Sequence, residues 1–388
     1  MIKKILIANR GEIAIRIAKT CRNMRIKTVG VYSEQDKDSM HLKFCDEVFS
    51  LGGDPLKGSY LNINKIIDIS VKAKVDAVHP GYGFLSENHE FAKKLEKRNI
   101  LFIGPPYKAI KVMGDKIESK KIAKKAGVNC IPGVNKAIKN LEEANRYSAE
   151  IGFPIMIKAS AGGGGKGMRI AENKTDLKNL LKIAQEEAKN AFGDDRVFLE
   201  KYIELPRHIE IQIIGDRFGN IIWLGDRECS IQRRHQKIIE EAPSPFLDDD
   251  TREKMGLQAV SLAKEVGYYS AGTVEFVVDK NRKFFFLEMN TRLQVEHPVT
   301  EETSNIDLVK EMINIANRKK LLIKQKDVIA KGWAFESRLC AENPLKDFLP
   351  SVGRISSFNV PLQSIRLDTG YEAGDSVSIY YDSLLAKI

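Results

Sequence analysis

Cysteine is scarce in this chain of 388 residues, and the spacings that usually mark functional cysteines are missing. The five cysteines are Cys21, Cys45, Cys130, Cys229 and Cys340, and no two of them form a C-x-x-C pair. An odd number of widely spaced cysteines argues against a disulfide framework and against a zinc site. Reduced thiols in a reducing compartment are the simpler interpretation.

Long apolar runs are also missing, since no stretch approaches the ~18 apolar residues of a membrane helix. The N-terminus, MIKKILIANRGE, places lysines before an apolar run. Asn9, Arg10 and Glu12 interrupt that run too early for a secretory signal peptide. We therefore expect a cytoplasmic protein, or a mitochondrial-matrix protein whose transit peptide has been removed, and no membrane partner.

Acidic residues are outnumbered, with 52 Asp and Glu against 62 Lys and Arg, which gives a net charge of +10. A basic excess can neutralise nucleic-acid phosphates, so nucleic-acid binding is one hypothesis. However, the lysines are scattered over helix-like stretches such as KKIAKKAG, and aromatic residues do not alternate with them as in single-strand-binding grooves. A solvated basic surface is the simpler explanation, and we expect no nucleic-acid partner.

The pattern of apolar segments predicts mixed α/β and α+β architecture. KKILIAN, GEIAIRIAKTCRNM and IKTVGVYS form a β-α-β opening, which predicts a parallel sheet that continues to about residue 112. Residues 131–203 predict a compact α+β module. From Arg207 onward, short strands joined by the turns GDRFGN and DKNR predict a large antiparallel sheet. The turn after the first strand lacks G-x-G-x-x-G, so no dinucleotide site is expected there.

The segment IKASAGGGGKGMRI contains a glycine loop between two strands. Exposed backbone N–H groups in such a loop can cradle phosphate. The Walker A pattern fails, because Gly167 follows Lys166 and a strand follows instead of a helix. The loop is either a lid over a nucleotide or a plain hairpin. Lys158, before the loop, and Lys116, at the start of an earlier helix, could reach phosphate oxygens or lie at the surface.

Two further segments carry polar residues at regular spacing. In VFLEKYIELPRHIEIQII, Glu200 and Lys201 end a strand where adenine could be recognised. His208, Glu210 and Gln212 then alternate on one strand face, which a solvent-facing sheet explains equally well. The segment GDRECSIQRRHQKIIEEAP is either an anion-binding loop or a surface charge run. Its charged and polar residues are Arg227, Glu228, Gln232, Arg233, Arg234, His235 and Lys237.

The hairpin GTVEFVVDKNRKFFFLEMN places Glu275 and Glu288 close together among apolar residues. Two buried carboxylates repel each other unless a cation or a salt-bridge network compensates their charge. Oxygen ligands, with the amide of Asn290, suit Mg²⁺ or Mn²⁺ and not zinc. Every even position from Glu288 to Glu296 is polar, so an extended chain would present all of these side chains on one face.

Long motifs of the chain resemble those of biotin carboxylases in the ATP-grasp superfamily. They are IANRGEIA, HPGYGFLSEN, IKASAGGGGKGMR, RHIEIQ, RECSIQRRHQK, EEAPS and EMNTRLQVEHPVTE, and the resemblance spans residues 2–388. The segments FGDDR, GRISSF and VSIYYDSLLAK are most similar to the α subunits of propionyl-CoA carboxylases. Methylcrotonoyl-CoA, acetyl-CoA and pyruvate carboxylases share most of these segments.

The resemblance implies an ATP-grasp fold with three parts. Residues 1–112 would form a Rossmann-like pre-ATP-grasp domain, residues 113–330 the ATP-grasp domain with a mobile lid at 131–203, and residues 331–388 an incomplete C-terminal domain. In the family the carboxylase region continues further, and a biotin-carrier domain follows it in α subunits. Since the chain has no A-M-K-M biotinylation motif, we expect it to be a piece of a longer protein.

The resemblance also implies site residues. The catalytic residues would be Arg292, Glu296, Arg338 and Lys237. Glu296 would be the general base, and Arg338 would stabilise charge on biotin. The metal ligands would be Glu275, Glu288 and Asn290. Contacts to ATP and the other substrates would come from Lys116, Lys158, Gly164, Gly165, Glu200, Lys201, Tyr202, Ile203, His208, Gln232, His235, Gln294 and Val295.

The implied activity is carboxylation of biotin by bicarbonate and ATP through carboxyphosphate, with Mg²⁺ or Mn²⁺ as cofactor. Implied partners are a biotin carboxyl carrier domain or protein, a carboxyltransferase β subunit and further copies of the chain. The acyl-CoA acceptor is not readable, because its pocket lies on another chain in this family. Another ATP-grasp ligase is the alternative, although RLQVEHPVT and RECSIQRRHQK argue against it.

Overall fold

The computed structural model describes residues 1–53, 55–161, 167–361 and 363–388. Its first part is a parallel sheet with the strand order β3-β2-β1-β4-β5. The strands are β1 Lys4–Ile7, β2 Lys27–Ser33, β3 Glu47–Gly52, β4 Ala77–His79 and β5 Leu101–Phe102. The helices are α1 Gly11–Asn23, α2 Ile63–Lys72, α3 His89–Lys97 and α4 Tyr107–Met113.

Alternate residues of β1 point to opposite faces of this sheet, as the pleat requires. Ile5 and Ile7 are buried with α1 on one face, whereas Leu6 is buried with α2 and α3 on the other. Helices therefore cover both faces, which confirms the predicted doubly wound arrangement. Helix α4, which follows the last strand, was not predicted.

The second part is a small α+β module with a core of its own. Its strands β6 Ile155–Ala159, β7 Met168–Ala171 and β8 Val197–Lys201 form an antiparallel sheet in the order β7-β6-β8. Helices α6 Leu141–Ile151 and α7 Lys174–Phe192 pack against this sheet, whereas α5 Lys116–Lys125 packs against α4 and the third part of the structure. The module core contains Ile157, Leu181 and Leu199 and is separate from the other cores. A segregated core allows such a module to move as a body.

The third part is an antiparallel sheet whose described strands follow the order β13-β12-β9-β10-β11-β14-β20-β18. They are β9 Arg207–Gly215, β10 Ile221–Arg233, β11 Gln236–Ala242, β12 Ser270–Val278, β13 Phe284–Asn290, β14 Ala334–Cys340, β18 Asp368–Thr369 and β20 Leu384–Lys387. Two small ribbons are formed by β15 Glu342–Asn343 with β16 Leu349–Pro350, and by β17 Gly353–Arg354 with β19 Ser376–Val377. This sheet confirms the antiparallel prediction.

Helices α8 Asp249–Glu265, α9 His297–Ser304 and α10 Leu308–Ala316 pack against the large sheet. Among the described residues, no helix combines the length and the apolar character needed to cross a membrane. The proposed boundaries at residues 112 and 330 stay a prediction.

Two local predictions are wrong. Strand β13 ends at Asn290 and α9 begins at His297, so residues 288–296 do not form one extended face. Pro298 lies in the first turn of α9, where its missing N–H costs nothing. The basic segment around His235 is not a loop either, because β10 and β11 form a hairpin. Arg234 and His235 form its turn, with φ angles of 50° and 65°.

Candidate active site

A cavity of about 540 Å³ lies between the small module and the large sheet. The described residues that line it include nearly all of the predicted site. They come from eight strands and the loops beside them, from α5 and from the segment before α9. They are Lys116, Lys158, Glu200, Lys201, Tyr202, Ile203, His208, Gln232, His235, Lys237, Glu275, Glu288, Asn290, Arg292, Gln294, Val295, Glu296 and Arg338. The predicted Gly164 and Gly165 lie outside the described residues. The roles of all these residues stay predictions.

Lys237 lies at the centre of the charged part of this cavity. Its Nζ atom is 2.6 Å from Glu210 Oε2, 2.8 Å from Glu275 Oε1 and 2.7 Å from Glu296 Oε1. Burial alone would lower the pKa of Lys237, but the three carboxylates raise it well above its usual value. Lys237 therefore stays protonated and binds carboxylates from two strands, β9 and β12, and from the loop before α9.

Glu296 is buried and sits between two cations. Besides Lys237, it contacts Arg338, whose Nη2 atom lies 2.8 Å from Glu296 Oε2. Burial alone would raise the pKa of Glu296, but the charges of Lys237, Arg338 and Arg227 hold it below its usual value. Glu296 is therefore ionised and able to accept a proton.

Arg338 has a second carboxylate partner that the sequence did not predict. Its Nε atom donates to Glu240 Oε1 over 2.7 Å. Glu240 lies on β11, directly opposite Glu336 of β14, and both are buried. Burial raises the pKa of Glu240 to about 7. No spacing in the sequence marks Glu240, which lies three residues after Lys237 in a segment interpreted as an anion-binding loop or a surface charge run.

Arg292 and Gln294 converge on the same cluster although the chain around them is not a strand. Arg292 donates from Nη1 to Gln294 Oε1 over 2.9 Å, and from Nε to Glu87 Oε2 over 2.8 Å. Gln294 in turn donates to Glu275 Oε1 over 3.0 Å. Tertiary hydrogen bonds, and not strand alternation, therefore orient these side chains.

The polar face of β9 is buried and does not face solvent. Arg227, which is 0% exposed, donates to Glu210 and to Gln212 Oε1, the latter over 2.7 Å. A third hydrogen bond, of 2.8 Å, joins Arg227 to Thr300 of α9. The solvent-facing interpretation of His208, Glu210 and Gln212 is therefore wrong, and Arg227 does not belong to a surface charge run.

The predicted metal ligands lie on neighbouring strands. Glu275 and Glu288 are direct partners in the register of β12 and β13, and Asn290 follows on the same strand. The Glu288 side chain is 32% exposed, with Lys116 Nζ 3.8 Å away. Glu275 instead takes part in a salt-bridge network, with His208 Nε2 2.8 Å from Glu275 Oε2. The salt-bridge explanation therefore applies to Glu275, and the metal-binding role of the pair stays a prediction.

These donors fit a hard cation. Two carboxylates and an amide oxygen from adjacent strands line one cavity wall, and such oxygens are preferred by Mg²⁺. Two other described clusters also bring acids together, namely His208 with Glu210 and Glu275, and Glu210 with Cys229 and Glu296. Arg227 and Lys237 already neutralise Glu210 in both, so neither cluster requires a metal.

At the other end of the cavity, Glu200 is buried between two lysines. Lys158 Nζ lies 2.7 Å from Glu200 Oε2, and Lys120 contacts Oε1. Burial alone would raise the pKa of Glu200, but the two lysines lower it to about 2. The Glu200 side chain is therefore engaged within the protein, and Lys201, Tyr202 and Ile203 are what this segment presents to the cavity. Sequence reasoning missed Lys120, which looked like one of many surface lysines.

Comparison with known families divides the chain into three matches. Residues 1–110 match the family described as "Biotin carboxylase, N-terminal domain". Residues 115–324 match "Carbamoyl-phosphate synthase L chain, ATP binding domain", and residues 336–388 match "Biotin carboxylase C-terminal domain". Biotin carboxylase 1 of Bacillus subtilis is 52% identical, with 100% of this chain and 87% of that protein covered.

The chain belongs to the biotin carboxylase family. The mitochondrial α chain of propionyl-CoA carboxylase from Mus musculus is 56% identical over 388 residues, which are 99% of this chain and 54% of that protein. The chain thus spans about half the length of the curated propionyl-CoA carboxylase relatives that it matches. These findings confirm the resemblance seen in the motifs.

Solved biotin carboxylases have the same ATP-grasp fold. The biotin carboxylase domain of Hydrogenobacter thermophilus 2-oxoglutarate carboxylase has a TM-score of 0.97 at 48% identity, covering 100% of this chain and 85% of that domain. It is a dimer in complex with MgADP, ADP and bicarbonate. Biotin carboxylase from Campylobacter jejuni, in a βγ-ATP complex, also has a TM-score of 0.97 at 48% identity, with 100% and 86% covered.

A second cavity of about 440 Å³ adjoins the first. Gln236, Arg292, Val295 and Arg338 line both cavities. Five aromatic residues from distant parts of the chain contribute to the remaining wall, together with residues 9–13: Tyr82, Phe84, Tyr371, Tyr380 and Tyr381. Sequence reasoning did not find this wall, because its aromatic residues lie in three segments that are far apart in the chain.

Proposed function

We propose that this chain catalyses the ATP-dependent carboxylation of biotin by bicarbonate. The observation that carries the proposal is the position of Glu296, between Lys237 and Arg338, where the two cavities meet. The nucleotides and bicarbonate bound by the solved relatives support it. One cavity would hold the nucleotide and bicarbonate, and the other would admit biotin.

ATP would bind between the small module and the large sheet. Lys116 and Lys158 would hold its phosphates, and the adenine would lie against residues 201–203. Because Lys158 is paired with Glu200, phosphate binding would partly redirect this lysine. Closure of the small module over the cavity would keep water from a labile intermediate.

Bicarbonate would bind beside Arg292, Gln294, Val295 and Lys237, which line the cavity next to Glu296. Glu296 would accept the bicarbonate proton while the bicarbonate oxygen attacks the γ-phosphorus of ATP and ADP leaves. The products of this step are ADP and carboxyphosphate, which breaks down to CO₂ and phosphate. When Lys237 turns to the bound anion, Glu296 loses part of its cationic shield and becomes a stronger base.

Glu275, Glu288 and Asn290 would hold the divalent cation, and their oxygens suit Mg²⁺ or Mn²⁺ equally. When bound, the cation would neutralise charge on the transferring phosphoryl group. Glu288 is free to bind it, whereas Glu275 must give up part of its contact with Lys237. Mg²⁺ is the cation in the Hydrogenobacter complex.

Biotin would reach the reaction centre through the aromatic second cavity. The phosphate released from carboxyphosphate would take the proton from N1′ of biotin, and the resulting enolate would attack CO₂. Arg338 lines both cavities and would stabilise the negative charge on the ureido oxygen. Carboxybiotin would be the product.

We further propose that the chain serves a propionyl-CoA carboxylase. Its partners would be a biotin carboxyl carrier domain or protein, a carboxyltransferase β subunit and further copies of the chain, in the cytoplasm or the mitochondrial matrix. The identity to the mouse α chain supports this choice. A biotin carboxylase of acetyl-CoA or methylcrotonoyl-CoA carboxylase is the alternative, since Bacillus biotin carboxylase 1 is similarly close.

The proposal is tested by ADP release in the presence of ATP and Mg²⁺. We expect release to depend on bicarbonate and to increase on addition of free biotin. A folded protein that cleaves ATP with ammonia or an amino acid, and not with biotin, would instead be another ATP-grasp ligase. The acceptor is tested by combining the holoenzyme with propionyl-CoA or acetyl-CoA and measuring which one is carboxylated faster.

A further inference from the structure

Glu336 is a buried carboxyl group for which the proposed reaction has no use. It lies on β14, two residues before Arg338, and is 3% exposed. Among the described residues, neither of its carboxylate oxygens has a hydrogen-bond partner. A buried ionised carboxylate without hydrogen bonds is costly, whereas the neutral acid can be buried at much lower cost.

Its neighbour across the sheet offers the missing acceptor. Glu240 is directly opposite Glu336 in the antiparallel register of β11 and β14, and directly opposite residues have Cβ atoms roughly 5 Å apart. Glu240 uses Oε1 for Arg338, while its Oε2 has no partner among the described residues. One proton on Glu336 would provide a donor for that oxygen and satisfy both groups.

Charged groups from three strands and one loop face Glu336. They are Glu240 on β11, Arg338 on the same strand, Lys387 on β20 and Glu296 in the loop before α9. Helix α9 packs on both strands and begins with His297, which is buried and kept neutral by burial, with its pKa well below the usual value. Burial, Glu240 and Glu296 raise the pKa of Glu336 well above normal, although Lys387 and Arg338 oppose them.

We propose that Glu336 is a positioning residue for Arg338. It remains a neutral carboxylic acid that donates a hydrogen bond to Glu240, so the Arg338 guanidinium pairs with Glu240 and Glu296 and not with Glu336. An ionised Glu336 would be a competing partner for Arg338 only two residues along the same strand face. It would draw the guanidinium away from the junction of the two cavities. Arg338 would then meet biotin less often, so the role rests on the proposed function.

The protonation state is tested without any activity measurement, by infrared spectroscopy of the whole protein at a pH about one to two units above the pKa of Glu240, where Glu240 is ionised. We expect a protonated-carboxyl C=O band in the wild type that disappears in Glu336→Gln and persists in Glu241→Gln. Glu241 is the matched control, since it is the next residue after Glu240 and its side chain lies on the other face of β11. A wild-type spectrum that lacks the band would overturn the proposal, whatever the enzyme's activity.

The positioning role is tested by the ratio of two rates measured as a function of pH. The first is biotin-stimulated turnover, and the second is ATP cleavage without biotin. We expect this ratio to fall at alkaline pH in the wild type, because Glu336 ionises there. In Glu336→Gln, whose side chain cannot ionise, the fold-decrease over the same pH range should be smaller by a factor of at least about three. Identical profiles in the two proteins would contradict the role. If Glu336→Gln does not fold, Glu240→Gln serves instead: loss of the acceptor charge should move the carboxyl band of Glu336 in the infrared spectrum. An unmoved band would overturn the pairing.

Discussion

Arg338 reaches across the large sheet to Glu296, with 2.8 Å between Nη2 of the arginine and Oε2 of the carboxylate. The two residues are 42 positions apart in the chain, and this contact occurs where the two cavities adjoin. The predicted base and the predicted biotin ligand are therefore each other's counter-ion before any substrate binds. If both residues have their proposed roles, separation of the pair by substrate would couple proton acceptance to biotin recognition.

The first prediction concerns Arg338→Lys. Lysine lacks the planar fork that lets Arg338 contact Glu240 and Glu296 together, so biotin-stimulated ADP release should fall about tenfold or more. ATP cleavage without biotin should fall much less, because the role proposed for Arg338 is to stabilise charge on biotin. Steady-state rates with and without biotin measure this, with the exposed Arg354→Lys as control. Equal losses in both rates would exclude the biotin role.

The second prediction concerns Glu296→Gln. Glutamine has nearly the same shape but cannot accept a proton, so bicarbonate-dependent ATP cleavage should fall about 100-fold or more. The exposed Glu302→Gln on α9 is the matched control. Nucleotide affinity, measured by calorimetry, should stay within about twofold in both variants. Retention of the bicarbonate-dependent rate in Glu296→Gln would show that another group is the base.

The third prediction concerns the divalent cation. Removal of metal with a chelator should abolish ATP cleavage, and added Mg²⁺ or Mn²⁺ should restore it. Glu288→Gln should raise the Mg²⁺ concentration for half-maximal activity about tenfold or more. Loss of a group that only orients a metal ligand already weakens metal affinity by about tenfold or more, and a direct ligand should matter at least as much. The exposed Glu253→Gln on α8 is the control. An unchanged Mg²⁺ requirement in Glu288→Gln would remove this residue from the metal site.

The fourth prediction concerns the small module, where Glu200 is buried between Lys120 and Lys158. The pKa of Glu200 is about 2 in the folded protein and 4.5 ordinarily, so its stabilisation is present above pH 4.5 and is lost as the pH falls towards 2. Glu200→Gln leaves two buried lysines without a partner. It should lower the free energy of unfolding by about 3 kcal/mol or more at neutral pH.

Urea unfolding of the wild type and Glu200→Gln measures this difference, with Glu186→Gln as an exposed control in the same module. The difference should shrink as the pH falls from about 4.5. A difference that is constant across this range would mean that the charge of Glu200 is not what stabilises the module.

Patterns that depend on neighbouring residues predicted much of the fold. The apolar segments around Leu6 and the turns GDRFGN and DKNR carry local signals, because burial and turn geometry act over a few residues. The row of polar residues from Glu288 to Glu296 shows the limit of such reasoning. Alternation marked residues that line the cavity, but β13 ends at Asn290, and the later side chains are oriented by tertiary contacts.

Residues that act through distant partners left no local signal. Arg227 looked like part of a charged surface, yet it is buried because Glu210, Gln212 and Thr300 accept its hydrogen bonds. Glu240 and Lys120 were missed for the same reason. Their burial depends on partners far along the chain, and only the folded structure brings those partners together.

The most direct test of the account is the transfer of isotopically labelled bicarbonate to free biotin by the purified protein with ATP and Mg²⁺. We predict label in biotin, in amounts that match the ADP released in excess of the biotin-free rate. Arg338→Lys should lose this label while it still cleaves ATP. A folded wild-type protein that hydrolyses ATP with bicarbonate and leaves biotin unlabelled would contradict the proposed function.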